Sequence, residues 1–470
     1  MRSAVLALVA AALVAVPVGA QVPTGKMGAL RPDQQQFFSL YKELVETDTT
    51  VTNGDCTLAA AQIATRLKTA GIADNQITLF SVPDHPKEGG IVAVYPGTST
   101  TLKPILLLAH IDVVAAKRAD WVRDPFKLIE ENGYYYARGI SDDKMMAATW
   151  ADTLIRFQQG NYKPARTVKL ALTCGEETDK AFNGAEYLAN HKRDLIDAAF
   201  ALNEGGGGDT DGKGKIVSQS IQVGEKIYQD YALVATNPGG HSSTPVRDNA
   251  IYAMSEALLK IRNHEFPMEF SATTRAFFAK AGAARSDDMG KAMVALSKNP
   301  SDAKAQATLN TDRYFHSVLR TTCVATMIDG GHALNALPQR VQANVNCRIF
   351  PGHDPVKIGQ DLAGIIGNPD ITISRVREDK PLAASPPLDP NIIGPMETLS
   401  EKYFPGVPVI PSMSTGATDG LYFAAVGIPT YGVPGPWGDP DGNGVHGLNE
   451  RLEVRSVYVG RDYLFDLVKA

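Results

Sequence analysis

Residues 104–114 read PILLLAHIDVV, and residues 167–179 read TVKLALTCGEETD. In the first, Ile105 to Ala109 are apolar at successive positions. A strand with one wet face alternates polar and apolar residues, so an unbroken run of this length predicts burial on both faces, the habit of parallel sheets. Each run stops at groups that do not belong in a core: His110 and Asp112 after the first, Glu176 and Glu177 after the second. A third run, AAFALNE (198–204), ends in Glu204. Between these strands SDDKMMAATWADTLIRFQQG (141–160) reads as a helix opened by Ser141, and EYLANHKRDLI (186–196) reads as another. Strands that alternate with helices predict an α/β fold with a mainly parallel sheet covered on both faces.

The pattern changes near residue 225. DYALVATNPGGHSS, NAIYAMSEALLKI, RTTCVATMIDGG, QRVQANVNCRIF, DPVKIGQDLAGIIG and ITISRVRE read in order as β-α-β-β-α-β, a small antiparallel α+β unit. A long Ala-rich, helix-compatible stretch at about 268–320 interrupts it. From about residue 388 the α/β character resumes with ETLSEKYF, PVIPSM and GIPTYGV. The expected organisation is a leader (1–20), a first catalytic segment (21–224), an inserted unit (225–380) and a second catalytic segment (381–470).

The leader, MRSAVLALVAAALVAVPVGA, has one Arg before an apolar run that Pro17 interrupts, with small residues before Gln21. It fits a cleaved export signal better than an anchor, which needs ~20 apolar residues. The mature protein is expected to be periplasmic or secreted and free of the membrane. The 470 residues carry 46 Lys+Arg against 51 Asp+Glu, a net charge of −5, and 44% are hydrophobic. That balance excludes a disordered polymer and gives no basis for a nucleic-acid partner, which needs clustered cations. Four cysteines form no C-x-x-C pair. Cys323 and Cys347, on consecutive strands, are expected to bond after export; Cys174 reads as buried packing.

In an open α/β sheet ligands collect beyond the carboxyl ends of the strands. Three strands deliver His110, Glu176/Glu177 and Glu204 to that rim, and Asp142 and Asp143 stand at a helix start. So many carboxylates repel one another unless cations lie among them. Imidazole and carboxylate donors favour zinc or a similar divalent ion, and this number suits two ions sharing a bridge. A serine hydrolase of the α/β type is excluded, for no G-x-S-x-G elbow occurs.

Nine motifs in order, AHIDVV, WVRDPF…YARGISDDK, TCGEETD, ALNEGGG, NPGGHSSTP, GGHALNALP, NCRIFPG, STGATDG and VHGLNE, resemble the dinuclear-zinc aminoacylase/carboxypeptidase family. That family includes glutamate carboxypeptidase, acetylornithine deacetylase and succinyl-diaminopimelate desuccinylase. The resemblance implies that His110 and Glu204 hold one zinc, Glu177 and His446 the other, and Asp142 bridges them; cobalt or manganese would also suit these donors. It implies Asp112 as the residue orienting His110, Glu176 as general base, and His241, from a partner subunit's lid, as an oxyanion donor. Arg348 and Asn335 resemble residues that grip a substrate carboxylate, and the loop of Gly416 offers backbone N–H groups nearby. The inserted unit matches the family's lid, implying a homodimer. Ala137 and Met145 stand where the family has glycine, which bears on pocket shape. The expected activity is that of an exopeptidase of carboxypeptidase or dipeptidase type, cleaving an amide next to a free carboxylate. Alternatives are an N-acyl-amino-acid amidohydrolase and, in another class, a metal-containing binding protein without catalysis.

Overall fold

The computed structural model describes residues 27–178, 181–377 and 380–470; the expected leader lies outside them. A ten-stranded mixed sheet forms the larger part. Its centre is parallel: Val168–Thr173, Ile105–His110, Phe200–Asn203 and Thr430–Gly432 lie side by side. All six residues of Ile105–His110 and of Val168–Thr173 are buried, as their continuous apolar sequences predict. Successive side chains point to opposite faces. Leu107 and Ala109 join a core with Phe37, Trp150 and Tyr458, whereas Leu106 and Leu108 join another with Leu188 and Phe423.

The sheet departs from the expected mainly parallel arrangement at its margins. Ile77–Val82 pairs antiparallel with His85–Tyr95, because the two residues between them allow a hairpin but no crossover. His85–Tyr95 then pairs antiparallel with Val168–Thr173, and Gly207–Thr210 with Ile216–Glu225.

The chain leaves this sheet at Glu225 and begins a second one at Ile227. Four antiparallel strands lie in the order Thr322–Gly330, Arg340–Ile349, Ile227–Thr236 and Ile371–Arg375. Helices Ala250–Asn263 and Pro355–Ile366 cover one face around Tyr231, Leu233, Val345 and Leu362. The element order is β-α-β-β-α-β, and the stretch at 268–320 forms four helices between Ala272 and Val318. Phe278, Met293 and Leu309 of those helices share a core with Met413 from the large sheet.

Two expectations are corrected. The helix read as opening at Ser141 begins at Lys144, with Asp143 as its N-cap. The backbone N–H groups of Gly139, Ser141 and Asp142 donate to the Glu450 carboxylate, which anchors the loop before the helix. Cys174 is not simple packing: it is disulfide-bonded to Cys56, 118 residues earlier. Cys323 and Cys347 also form a disulfide, from directly opposed positions of neighbouring strands.

Candidate metal centre

Three parallel strands end at Thr173, His110 and Asn203, so Glu176, Glu177, His110 and Glu204 meet at one rim. His110 is buried; its Nδ1–H donates to the carbonyl of Asp112 at 3.1 Å, which leaves Nε2 facing outward. That Nε2 lies 3.0 Å from Asp142 Oδ1 and 3.8 Å from Glu204 Oε1. His446, on a loop before the last helix, lies 3.2 Å from Asp142 Oδ2 and 2.8 Å from Glu177 Oε2. Asp142 therefore divides its two oxygens between two imidazoles, each with one further carboxylate. Glu176 presents an oxygen within 4.8 Å of ligand atoms of His110 and Glu204.

Electrostatics reflect the crowding. Burial pushes Glu204 and Glu176 well above the ordinary carboxylate range, and His110 opposes this only in part. Burial would raise Asp142 too, but hydrogen bonds from His110 and His446 hold it well below that range. His110 is pulled down by burial and more than recovered by Glu204, Asp112 and Asp142. The hydrogen bonds of His446 to Asp142 and Glu177 raise it to about 10. Two imidazoles with three carboxylates form a donor set that fits two divalent ions.

The surroundings fix these groups. Asp112, completely buried, lies against His110: its carbonyl accepts from Nδ1 and its carboxylate Oδ1 stands 3.6 Å from the same nitrogen, while that carboxylate also accepts the N–H of Glu176 at 3.3 Å and of Glu177 at 3.0 Å. Asp419 accepts from Thr173 Oγ1 at 2.7 Å and Asn183 Nδ2 at 2.8 Å, and Asn183 also donates to the carbonyl of Gly175. Glu450 pairs with Arg138 at 2.8 Å, and Arg138 donates to the carbonyl of Gly447, next to His446. One buried ion pair therefore ties the Asp142 loop to the His446 loop. Glu450 and Asp419 fall within VHGLNE and STGATDG, yet nothing in the sequence marks them as supports. A lone acidic residue near a motif gives no sign that it will be buried.

Other expected residues lie elsewhere. His241 and Asn335 meet on the inserted unit, where the N–H of Ser242 donates to the Asn335 carbonyl and His241 Nδ1 contacts Ser243 Oγ at 2.7 Å. Among the described residues no hydrogen bond or ion pair joins either to the carboxylate cluster. Arg348 stacks over Tyr228 and donates to the carbonyl of Thr415 at 3.3 Å, beside Gly416, whose N–H donates to Ser414 Oγ. That loop continues to Asp419, so Arg348 reaches the same end of the sheet.

Comparisons with known proteins place the chain in a family and a fold. The sequence profile of peptidase family M20/M25/M40 matches residues 106–470. The mouse N-fatty-acyl-amino acid synthase/hydrolase PM20D1 is 28% identical over 397 residues, covering 79% of this chain and 75% of the mouse protein. A probable carboxypeptidase S-like 2 of Dictyostelium discoideum is 26% identical over 391 residues, covering 81% and 74%. The fold resembles that of the M20 family metallo-carboxypeptidase Sso-CP2 from Sulfolobus solfataricus, with TM-score 0.69, 20% identity and 93% and 98% of the two chains covered. It also resembles a dinuclear metal-binding M20 peptidase of Bacillus subtilis, with TM-score 0.57, 13% identity and coverage of 93% and 97%.

Proposed function

Because the chain belongs to peptidase family M20/M25/M40, whose members hydrolyse amide bonds, we propose that it is an exported dinuclear-zinc exopeptidase acting next to a free carboxylate. The observation that carries the metal assignment is the division of Asp142 between His110 and His446. His110 and Glu204 hold one ion, Glu177 and His446 the other, and Asp142 both. Bound there, the ions would lower the pKa of a water and polarise the amide carbonyl. Glu176 is the general base: it takes a proton from the attacking water and passes it to the departing amine. Its burial, which strengthens it as a base, supports that role. Arg348 offers a planar fork to the substrate carboxylate beside the Gly416 loop, with Asn335 and His241 supplied by a second subunit's lid. The exposed edge strand Thr322–Gly330, with Val324, Met327 and Ile328 more than half exposed, supports a homodimer through the lid.

The N-fatty-acyl-amino acid hydrolase name of the mouse relative favours a second reading, deacylation of N-acyl amino acids at the same centre. Dipeptides, C-terminally amidated peptides and N-acyl amino acids, assayed before and after chelation, test both. Free-acid substrates should be cleaved and chelation should abolish turnover. Amidated peptides cleaved as fast as free acids would remove Arg348 from its role, and full activity in protein stripped of metal would remove the centre itself.

A further inference from the structure

Residues 47–56 lie across three of the loops that bring groups to the metal centre. The carbonyl of Thr47 accepts from Lys144 Nζ at 2.8 Å, at the start of the helix that follows Asp142 and Asp143. Thr50 bridges to Val113, and the carbonyl of Thr49 accepts from the Val113 N–H, three residues beyond His110. Cys56 is bonded covalently to Cys174, two residues before Glu176 and three before Glu177. The anchor side is firm: Asp55 caps the helix Cys56–Thr69, whose Ala59, Ile63 and Leu67 belong to the main core. On the other side the chain turns through Gly175, at a φ of 96°, before it reaches Glu176. A cavity of about 250 Å³, with Thr52, Asn53, His85 and Lys87 among its walls, has both cysteines in its lining. None of the residues assigned to the metals lines it, so the sulfur bond has an approach separate from the active site.

We propose that the Cys56–Cys174 bond is a covalent positioning element for Glu176 and Glu177, and that its thiol–disulfide state sets turnover: full as the disulfide, attenuated as the dithiol. The inference rests on the roles given to Glu176 and Glu177 above and adds what holds them and what can release them. The other ties of their loop are hydrogen bonds. Asp112 accepts from the N–H groups of both residues, Asn183 Nδ2 donates to the Gly175 carbonyl at 3.1 Å, and the Gly184 N–H donates to the Cys174 carbonyl at 2.8 Å. Water can replace such bonds when the loop opens, whereas it cannot replace the sulfur link. A general base must lie within hydrogen-bond reach of the proton it takes, and a shift of ~1 Å can cost about 10²-fold in rate. The co-reactant that opens the bond is a dithiol. One of its thiolates attacks a sulfur of the pair and expels the other cysteine, which takes up a proton; its second thiol then displaces the first cysteine from the mixed disulfide. Two electrons and two protons pass to the enzyme, and the dithiol leaves as a cyclic disulfide. Cys323–Cys347, by contrast, joins opposed strands of the second sheet and tethers no loop of the metal centre.

The test uses folded, metal-loaded enzyme carrying Cys323→Ser and Cys347→Ser, so that one reducible bond remains. A phosphine opens it without adding thiols that chelate zinc, and mass spectrometry of an alkylated aliquot counts the free thiols. On reduction kcat should fall about 10–100-fold. KM should change little, because Arg348 and the Gly416 loop belong to other strands. Affinity for one of the two ions should fall by about tenfold or more. Oxidised glutathione should restore both. In a second, independent arm, Cys56→Ser with Cys174→Ser in the otherwise natural chain should show the reduced values and no response to the phosphine. Unchanged kcat with both thiols free, whatever happens to Tm, overturns the proposal and leaves the bond a stabilising cross-link only. Loss that reoxidation does not reverse also overturns it, since that is unfolding and not repositioning. No turnover of any peptide or N-acyl amino acid by the oxidised enzyme would instead remove the roles of Glu176 and Glu177 themselves.

Discussion

The backbone of Asp142 is held from behind. Glu450 accepts N–H groups on both sides of the loop and is itself neutralised by Arg138, with both side chains almost fully buried. Removing one partner of such a pair leaves a buried charge unsatisfied and frees the loop. Glu450→Gln keeps the shape but weakens acceptance, so metal affinity should fall about 10–100-fold, as for other groups that orient ligands from behind. Competition titration with a chromophoric chelator measures this, and an unchanged affinity would mean the loop holds its form without the charge. Glu176→Gln should do the opposite: metal content stays at wild-type level, while kcat falls by about 10²–10⁴. Metal analysis beside steady-state rates separates the two variants. At this scale the sequence is legible where chemistry interrupts a pattern. His110, Glu176, Glu177 and Glu204 stand out as charges that terminate apolar strands. Glu450 and Asp419 do not, because their importance arises from burial beneath loops whose partners lie hundreds of residues away.

At the scale of elements, the junction between the two sheets carries a charge that responds to pH. Glu225 ends Ile216–Glu225, and one of its oxygens accepts from Thr418 Oγ1 at 3.0 Å and Gln222 Nε2 at 3.2 Å. Burial raises it from 4.5 to about 7, and the hydrogen bonds from Thr418 and Gln222 only partly oppose that rise. The folded state therefore keeps a proton that the unfolded chain releases. Its stabilising contribution is complete below about 4.5 and is lost as pH rises through about 7. Glu225→Gln mimics the protonated form at every pH. It should match wild type near pH 5 and gain roughly 1–3 kcal/mol over it at pH 8, because a tenfold change in proton affinity is worth about 1.4 kcal/mol. Thermal unfolding at the two pH values shows it, and parallel curves would place the proton elsewhere. Elements are legible where periodicity is strong: buried parallel strands and the β-α-β-β-α-β unit have the order read for them. The start of helix Lys144–Gln159 is not, because a side chain from Glu450 anchors the loop of Ser141 ahead of it. The Cys56–Cys174 bond is equally hidden, since spacing along the chain does not reveal which helix will lie over the loop of Glu176.

For the whole molecule, the separation of His241 from the carboxylate cluster is the most consequential feature. It sits with Asn335 on a hairpin of the inserted unit, Gly240–His241 against Ala336–Leu337, and among the described residues its hydrogen bonds go to its neighbours there. If a partner's lid completes each site, the subunits must be able to complement one another. His241→Ala and Glu176→Gln should each be nearly inactive alone. After mixing under conditions that exchange subunits, half of the dimers pair one of each, and every such dimer has one site with both an intact Glu176 and an intact His241. Activity should then recover to about a quarter of wild type, the statistical limit for a two-fold dimer. No recovery, in samples where exchange is verified by mass, would confine each site to one chain and require the lid to carry His241 inward by a hinge motion. Replacing Ile328 on the exposed edge strand by Asp should abolish the recovery together with the dimer, because an unpaired apolar edge is where a second chain adds. Complementation and association lost in step would make the lid a shared part of two active sites.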